Sequence, residues 1–69
     1  MEARQIYIND NSRLQVGEVE LTSGDALEVL IVDGDSPKWI KTTVEHNGKS
    51  YYLTGLKGVS AVGLFARVN

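Results

Sequence analysis

Between Leu27 and Leu53 the chain reads strand, break, strand, turn, strand. Leu27-Glu28-Val29-Leu30-Ile31-Val32 is apolar and rich in β-branched residues. Asp33-Gly34-Asp35-Ser36-Pro37 interrupts it, Trp39 to Glu45 resumes it, and Asn47-Gly48 turns the chain back into Tyr51-Tyr52-Leu53. Alternation of this kind, bounded by turn residues, marks half-buried antiparallel strands. Asn-Gly is the strongest short hairpin signal, because a type I′ turn needs positive φ at both central positions. With those two residues as the turn, Val44 faces Tyr51 and Thr43 faces Tyr52. Ile40, Val44, Tyr51 and Leu53 then share the core face. Trp39, Lys41, Thr43 and Tyr52 share the outer one.

The rest of the chain follows the same period. Gln5 to Ile8 reads as a first strand, with Ile6 and Ile8 on one face and Tyr7 on the other. Asn9 to Ser12 is a turn cluster whose side chains bond their own backbone. Arg13 to Val16 alternates and stops at Gly17, and Glu18 to Leu21 is another short extended piece. Thr22 to Asp25 is a turn in which Gly24 suits a positive φ and Asp25 caps the backbone. Ala26 to Val32 is the longest strand, with Leu27, Val29 and Ile31 inward. Pro37, which donates no ladder bond, limits where the next strand begins. Val59 to Val62, set among Gly55, Gly58 and Gly63, leaves room for at most one short 3₁₀ turn before a closing strand over Leu64 to Val68. Five to six short antiparallel strands in 69 residues cannot fill two sheets side by side. Residues 1–69 are expected to curl into a single all-β domain, a small barrel that hides its strand edges.

Size limits function. A chain this short has a stability of about 3–10 kcal/mol, little of it to spare for a strained catalytic pocket. It has no cysteine, hence no disulfide framework and no thiolate chemistry, which favours a reducing, cytoplasmic setting. No apolar run is long enough for a membrane-spanning helix, and Met1 to Arg4 does not lead into a signal-type segment. The net charge of −2 is unevenly placed: residues 1–37 carry −6 and residues 38–69 carry +4. Either interleaved strands mix these charges, or the molecule has one basic face able to dock an anionic partner or the acidic face of its own copy.

Two resemblances follow from these motifs. Leu21 to Val29, then Trp39, Val44 and Tyr51 to Leu53, is similar to the middle of an SH3-like barrel. Nearly the whole chain resembles a family of small bacterial proteins of unknown function, common in Firmicutes and their mobile elements. The matching residues are Arg13, Glu20 to Gly24, Leu27 to Ile31, Trp39, Val44 to His46, Tyr51 to Leu53, Gly63-Leu64 and Arg67-Val68. All are packing or turn positions, so the resemblance implies an SH3-like barrel and carries no activity. Peptide-binding SH3 domains match only at Trp39, so binding of proline-rich ligands is not implied.

No constellation for chemistry emerges. His46 is the only histidine and reads as a solvated turn residue. Asp33 and Asp35 lack the later ligands of a calcium loop, and the glycines lack the spacing of a phosphate loop. No metal, cofactor or catalytic residue is expected, and the protein is not read as an enzyme. The candidate binding residues are Trp39, Lys41, Tyr52 and Arg67, because aromatic anchors beside cations dominate binding hot spots. The competing reading is that Phe65, Arg67 or the N-terminal segment covers Trp39, which then only stabilises the barrel. The expected function is a binding module for a protein partner, a second copy of the chain included. A nucleic-acid-binding barrel that stacks bases on Trp39 and Tyr52 is the alternative, weakened by a sequence pI near 5.2. A mobile-element-encoded inhibitor or sequestering protein acting against host defence is another.

Overall fold

A computed structural model describes residues 3–56 and 58–68, with the side chain of Asp33 excepted. Glu2 and Lys57, counted in the charge asymmetry, and the Asp33 carboxylate lie outside the described residues. The described chain is all β, without a helix. Its strands are β1 (Arg4–Gln5), β2 (Tyr7–Ile8), β3 (Leu14–Val16), β4 (Val19–Glu20), β5 (Ala26–Asp33), β6 (Ser36–His46), β7 (Tyr51–Leu53) and β8 (Phe65–Arg67). They form a five-stranded sheet in the order β1-β8-β5-β6-β7 and a three-stranded sheet in the order β2-β3-β4. Every pairing is antiparallel. The arrangement is compatible with a small barrel.

The first expected strand is divided at Ile6, where the chain crosses from one sheet to the other. Ile6 donates its N–H to Leu64 O (2.8 Å) and accepts from Gly63 N–H (2.9 Å). Its side chain is buried, whereas Ile8 is 58% exposed. Ile8 therefore does not join Ile6 in the core, because alternation is broken by the crossing. The second crossing is the turn before β5. Thr22 N–H donates to Asp25 Oδ2 (2.9 Å), and Asp25 caps the turn as expected. Gly24, at φ +93°, donates its N–H to Val44 O (2.7 Å), and Val44 N–H donates to Asp25 O (2.9 Å). The turn is thereby bonded to β6.

The two hairpins exchange the roles the sequence suggests. Asp33 pairs with Ser36 and Val32 with Pro37, so only Gly34 and Asp35 link β5 to β6. Gly34 sits at φ +64°, the glycine-first arrangement of a type II′ turn. Pro37 lies inside the strand rather than before it. Ladder alternation from the closing Asp33–Ser36 pair turns the backbone nitrogen of residue 37 away from β5. Among the described residues no strand pairs with β6 on that side at this position, so no ladder bond is lost there.

The second turn is centred one residue later than Asn47-Gly48. Asn47 N–H donates to Ser50 O (3.2 Å), and its Oδ1 accepts from Lys49 N–H (2.9 Å) and Ser50 N–H (3.0 Å). Only Gly48, not Asn47, has positive φ, so a type I′ turn on Asn47-Gly48 is excluded. The Asn47 side chain has captured the backbone donors instead. Every cross-strand partner moves by two: Val44 faces Leu53, Glu45 faces Tyr52 and His46 faces Tyr51. A shift of two preserves the faces that a shift of one would invert. Val44 and Leu53 are buried, and Ile40 and Tyr51 pack against the core from its margin.

The core gathers Ile6, Leu14, Val16 and Leu21 from the three-stranded side with Leu27, Val29, Val44, Leu53 and Ala66 from the five-stranded side. Thr42, the one buried polar side chain among the described residues, donates its hydroxyl to Thr54 O (2.7 Å). Ala61 is also buried in the core. The stretch around it holds one hydrogen-bonded turn, closed by Leu64 N–H on Ala61 O (3.2 Å), within the single short turn expected before the closing strand.

Candidate functional site

Two strands present candidate side chains outward, β6 with Trp39 and Lys41 and β8 with Arg67. In register, Glu28 of β5 lies between Lys41 of β6 and Arg67 of β8, and Leu30 lies opposite Trp39. Arg67 Nε donates to Glu28 Oε1 at 3.0 Å. Its guanidinium carbon sits 4.0 Å from the centroid of the Trp39 ring. The carboxylate thus holds the cation over the indole face, an arrangement worth about 0.5–2 kcal/mol. Trp39 is half-buried, and Arg67 is part of what covers it. The interleaving also mixes charge here: an acid of the N-terminal half lies between two cations of the C-terminal half.

Trp39→Ala removes that stacking and part of the cover on β5. Its expected cost is about 1–2 kcal/mol, less than a core truncation. Urea denaturation measures it. Because Trp39 is the only tryptophan, Arg67→Ala should shift its fluorescence emission to the red as water reaches the ring. An unshifted spectrum would show that the guanidinium does not cover it.

Tyr52 does not join this group. It pairs with Glu45, six residues beyond Trp39 on β6, about 20 Å of extended strand. It lines a groove instead. That groove, about 480 Å³ in volume, has Ile8 and Leu14 on one side, His46 and Lys49 to Tyr52 on another, and Val59 to Val62 closing it. Four of its side chains are large, apolar and open to solvent: Ile8 58%, Tyr52 45%, Val59 42% and Val62 48%. Leu14 and Ala61 are the buried residues that back them. His46 packs edge-on against Tyr51, with ring centroids 4.6 Å apart. Its Nδ1 accepts from Gly48 N–H (3.1 Å). Among the described residues, His46 and Lys49 carry the only basic side chains of the lining, and no acid lines it.

The sequence directs attention to Tyr52 but not to its neighbours here. Ile8 is expected in the core, and Val59 and Val62 in a helical turn. The available signal is the pair of valines among Gly55, Gly58 and Gly63 with no partner strand to bury them. A second groove, about 530 Å³, lies beside β4 and β5, lined by Val19, Leu21, Leu27, Glu28, Lys41 and Val68 among others. Its large apolar residues are buried or half-buried, so it offers less apolar surface to a partner.

The Asn-rich turn is a polar clasp. Asn9 Nδ2 donates to Gln15 Oε1 (2.8 Å) and Glu20 Oε2 (2.7 Å), and Asn11 Nδ2 donates to the same Glu20 oxygen (3.0 Å). Asn9 Oδ1 accepts from Asn11 and Arg13 N–H, and Ser12 takes the left-handed conformation at φ +60°. The side chains of Asn11 and Asn9, with Arg13 at 4.0 Å, hold the Glu20 carboxyl below the ordinary glutamate range. A lowered pKa means the clasp is fully formed above the ordinary value and is lost as pH falls through the lowered one. An NMR carboxyl titration should place Glu20 below an unperturbed glutamate, and Asn11→Ala should raise it. An unchanged midpoint in that variant would refute the clasp. Among the described residues no three His, Cys, Asp or Glu side chains gather as a metal site would require. No helix there is long and apolar enough to cross a membrane.

No curated protein and no solved structure matches the chain. A family model does, over residues 4–68, which take in both sheets, the groove and the Trp39 face. The chain therefore belongs to the family described as a domain of unknown function, DUF5348.

Proposed function

We propose that this domain is a non-enzymatic binding module that docks a protein partner in the groove beside Tyr52. The observation that carries the reading is the convergence of Ile8, Tyr52, Val59 and Val62. Scattered exposed apolar residues are ordinary, whereas several lining one concavity mark an interaction site. In this reading Tyr52 is an anchor. Trp39 and Arg67 brace the neighbouring sheet, and Lys41 steers an approaching partner. Nucleic acid is the less favoured ligand, since Arg13 and Arg67 are engaged by Glu20 and Glu28 and Lys49 is the one lysine of the lining among the described residues. The lack of cysteine and the resemblance to bacterial and mobile-element proteins support a bacterial cytoplasmic setting, with an inhibitor of host defence as one form such a module would take.

Val59→Asp and Val62→Asp change exposed positions and should leave the denaturation curve nearly unmoved. Each should weaken a partner captured from host extract by about 2 kcal/mol, roughly thirtyfold in Kd. Val32→Asp is the control, since Val32 is 68% exposed near the far hairpin. Binding that survives both groove variants but not Trp39→Ala would move the site to the Trp39 face.

A further inference from the structure

The groove beside Tyr52 is bordered by strand edges, and several of their backbone groups have no partner among the described residues. β7 ends its sheet. Asn47 N–H on Ser50 O and Thr54 N–H on Thr43 O bracket its ladder with β6. Alternation then makes Glu45–Tyr52 a hydrogen-bonded pair and turns the N–H and C=O of Tyr51 and Leu53 away from β6. Leu53 O accepts from Leu56 N–H (3.2 Å). The Tyr51 N–H, the Tyr51 carbonyl and the Leu53 N–H have no partner among the described residues at this edge. On the opposite wall, Asn9 N–H donates to Arg13 O, and by the same alternation Ile8 directs its backbone groups away from β3.

We propose that the groove takes one extended peptide segment of a partner protein, apolar at alternate positions and carrying an acidic residue, added as a strand to the free edge of β7. The proposal rests on the groove being the binding surface and specifies how it binds. An added strand satisfies the open backbone groups of Tyr51 and Leu53, whereas a docked helix leaves them unpaired. Alternate side chains of such a strand reach Val59 and Val62. Lys49 and His46 on the lining, with no acid among the described lining residues and Glu45 outside it, favour an anionic residue in the segment. The β6 edge of a second copy supplies a poorer strand. The edge of β6 left open before Thr43 carries Pro37, Lys38 and Lys41, so it lacks a donor and repeats the charge of Lys49.

Short random peptides displayed on phage and selected on the folded chain provide the probe. Enriched sequences should alternate apolar residues and contain Asp or Glu. Titrating the best synthetic peptide should move the Tyr51 and Leu53 amide resonances. N-methylating the peptide nitrogens that face β7 should weaken binding about tenfold or more, and methylating the alternate nitrogens should not. Lys49→Glu should weaken the acidic peptide several-fold. No enrichment, insensitivity to N-methylation, or amide shifts that arise from protein concentration alone would overturn the strand mode. If N-methylation is inert while Val59→Asp still abolishes partner binding, the groove stands and only the strand mode fails. If Val59→Asp and Val62→Asp are both inert on the partner, the binding surface itself is misplaced.

Discussion

Val44→Asp should abolish the cooperative unfolding transition. Val44 is fully buried, faces Leu53 across the hairpin, and is bonded through its backbone to the turn at Gly24 and Asp25. A carboxylate there has no cation to pair with and must either be buried charged or push the hairpin off the core. Uncompensated charge of this kind costs about 3–5 kcal/mol, enough to exhaust the stability of a domain this small at the lower end of its range of about 3–10 kcal/mol. Thr43→Asp is the contrast. Thr43 is half-buried on the other face, and its hydroxyl shares a hydrogen bond with the Thr54 hydroxyl (2.9 Å). Losing that bond costs about 1 kcal/mol. Urea denaturation with circular dichroism compares the two. If Thr43→Asp proves the more damaging, the faces assigned to β6 are inverted.

That prediction draws on what is legible in the sequence and survives an error in the pairing. Side-chain direction in a strand has period two and depends only on local alternation, so Val44 and Leu53 are placed inward correctly even though their partners are displaced. Pairing depends on turn chemistry, and there the local signals compete. Asn47-Gly48 satisfies the dipeptide preference of a type I′ turn, but the Asn47 side chain gains more by accepting two backbone donors. Gly34-Asp35, masked by the proline after it, makes the tight hairpin, because Pro37 falls where no donor is needed. The contact of Arg67 with Trp39 is among the covers the sequence allows. Its choice over Phe65 is made by Glu28, which lies between the cations only once β8 has joined β5. The groove is the least legible part. Ile8, Tyr52 and Val59 meet because the two sheets end beside one another, a consequence of the crossing at Ile6 that no short-range pattern encodes.

Ile6→Ala tests that crossing and should cost about 2–5 kcal/mol, the range for truncating a buried isoleucine. Ile6 is 1% exposed and carries two backbone bonds to the Gly63–Leu64 segment, so the cavity opens where both sheets and the closing strand meet. The site has little freedom to collapse, which sets the cost toward the upper end. Ile8→Ala, two residues on, should change stability by no more than about 0.5 kcal/mol, because most of that side chain is already in water. A continuous first strand makes a different forecast: Ile6 and Ile8 share one face, and the two truncations cost alike. Chemical denaturation of the pair separates these outcomes. The same Ile8→Ala variant bears on function, since it keeps the fold while removing one wall of the groove. Its partner affinity should therefore fall without a matching loss of stability. Equal losses in both measurements would return Ile8 to the core and leave the groove without its wall.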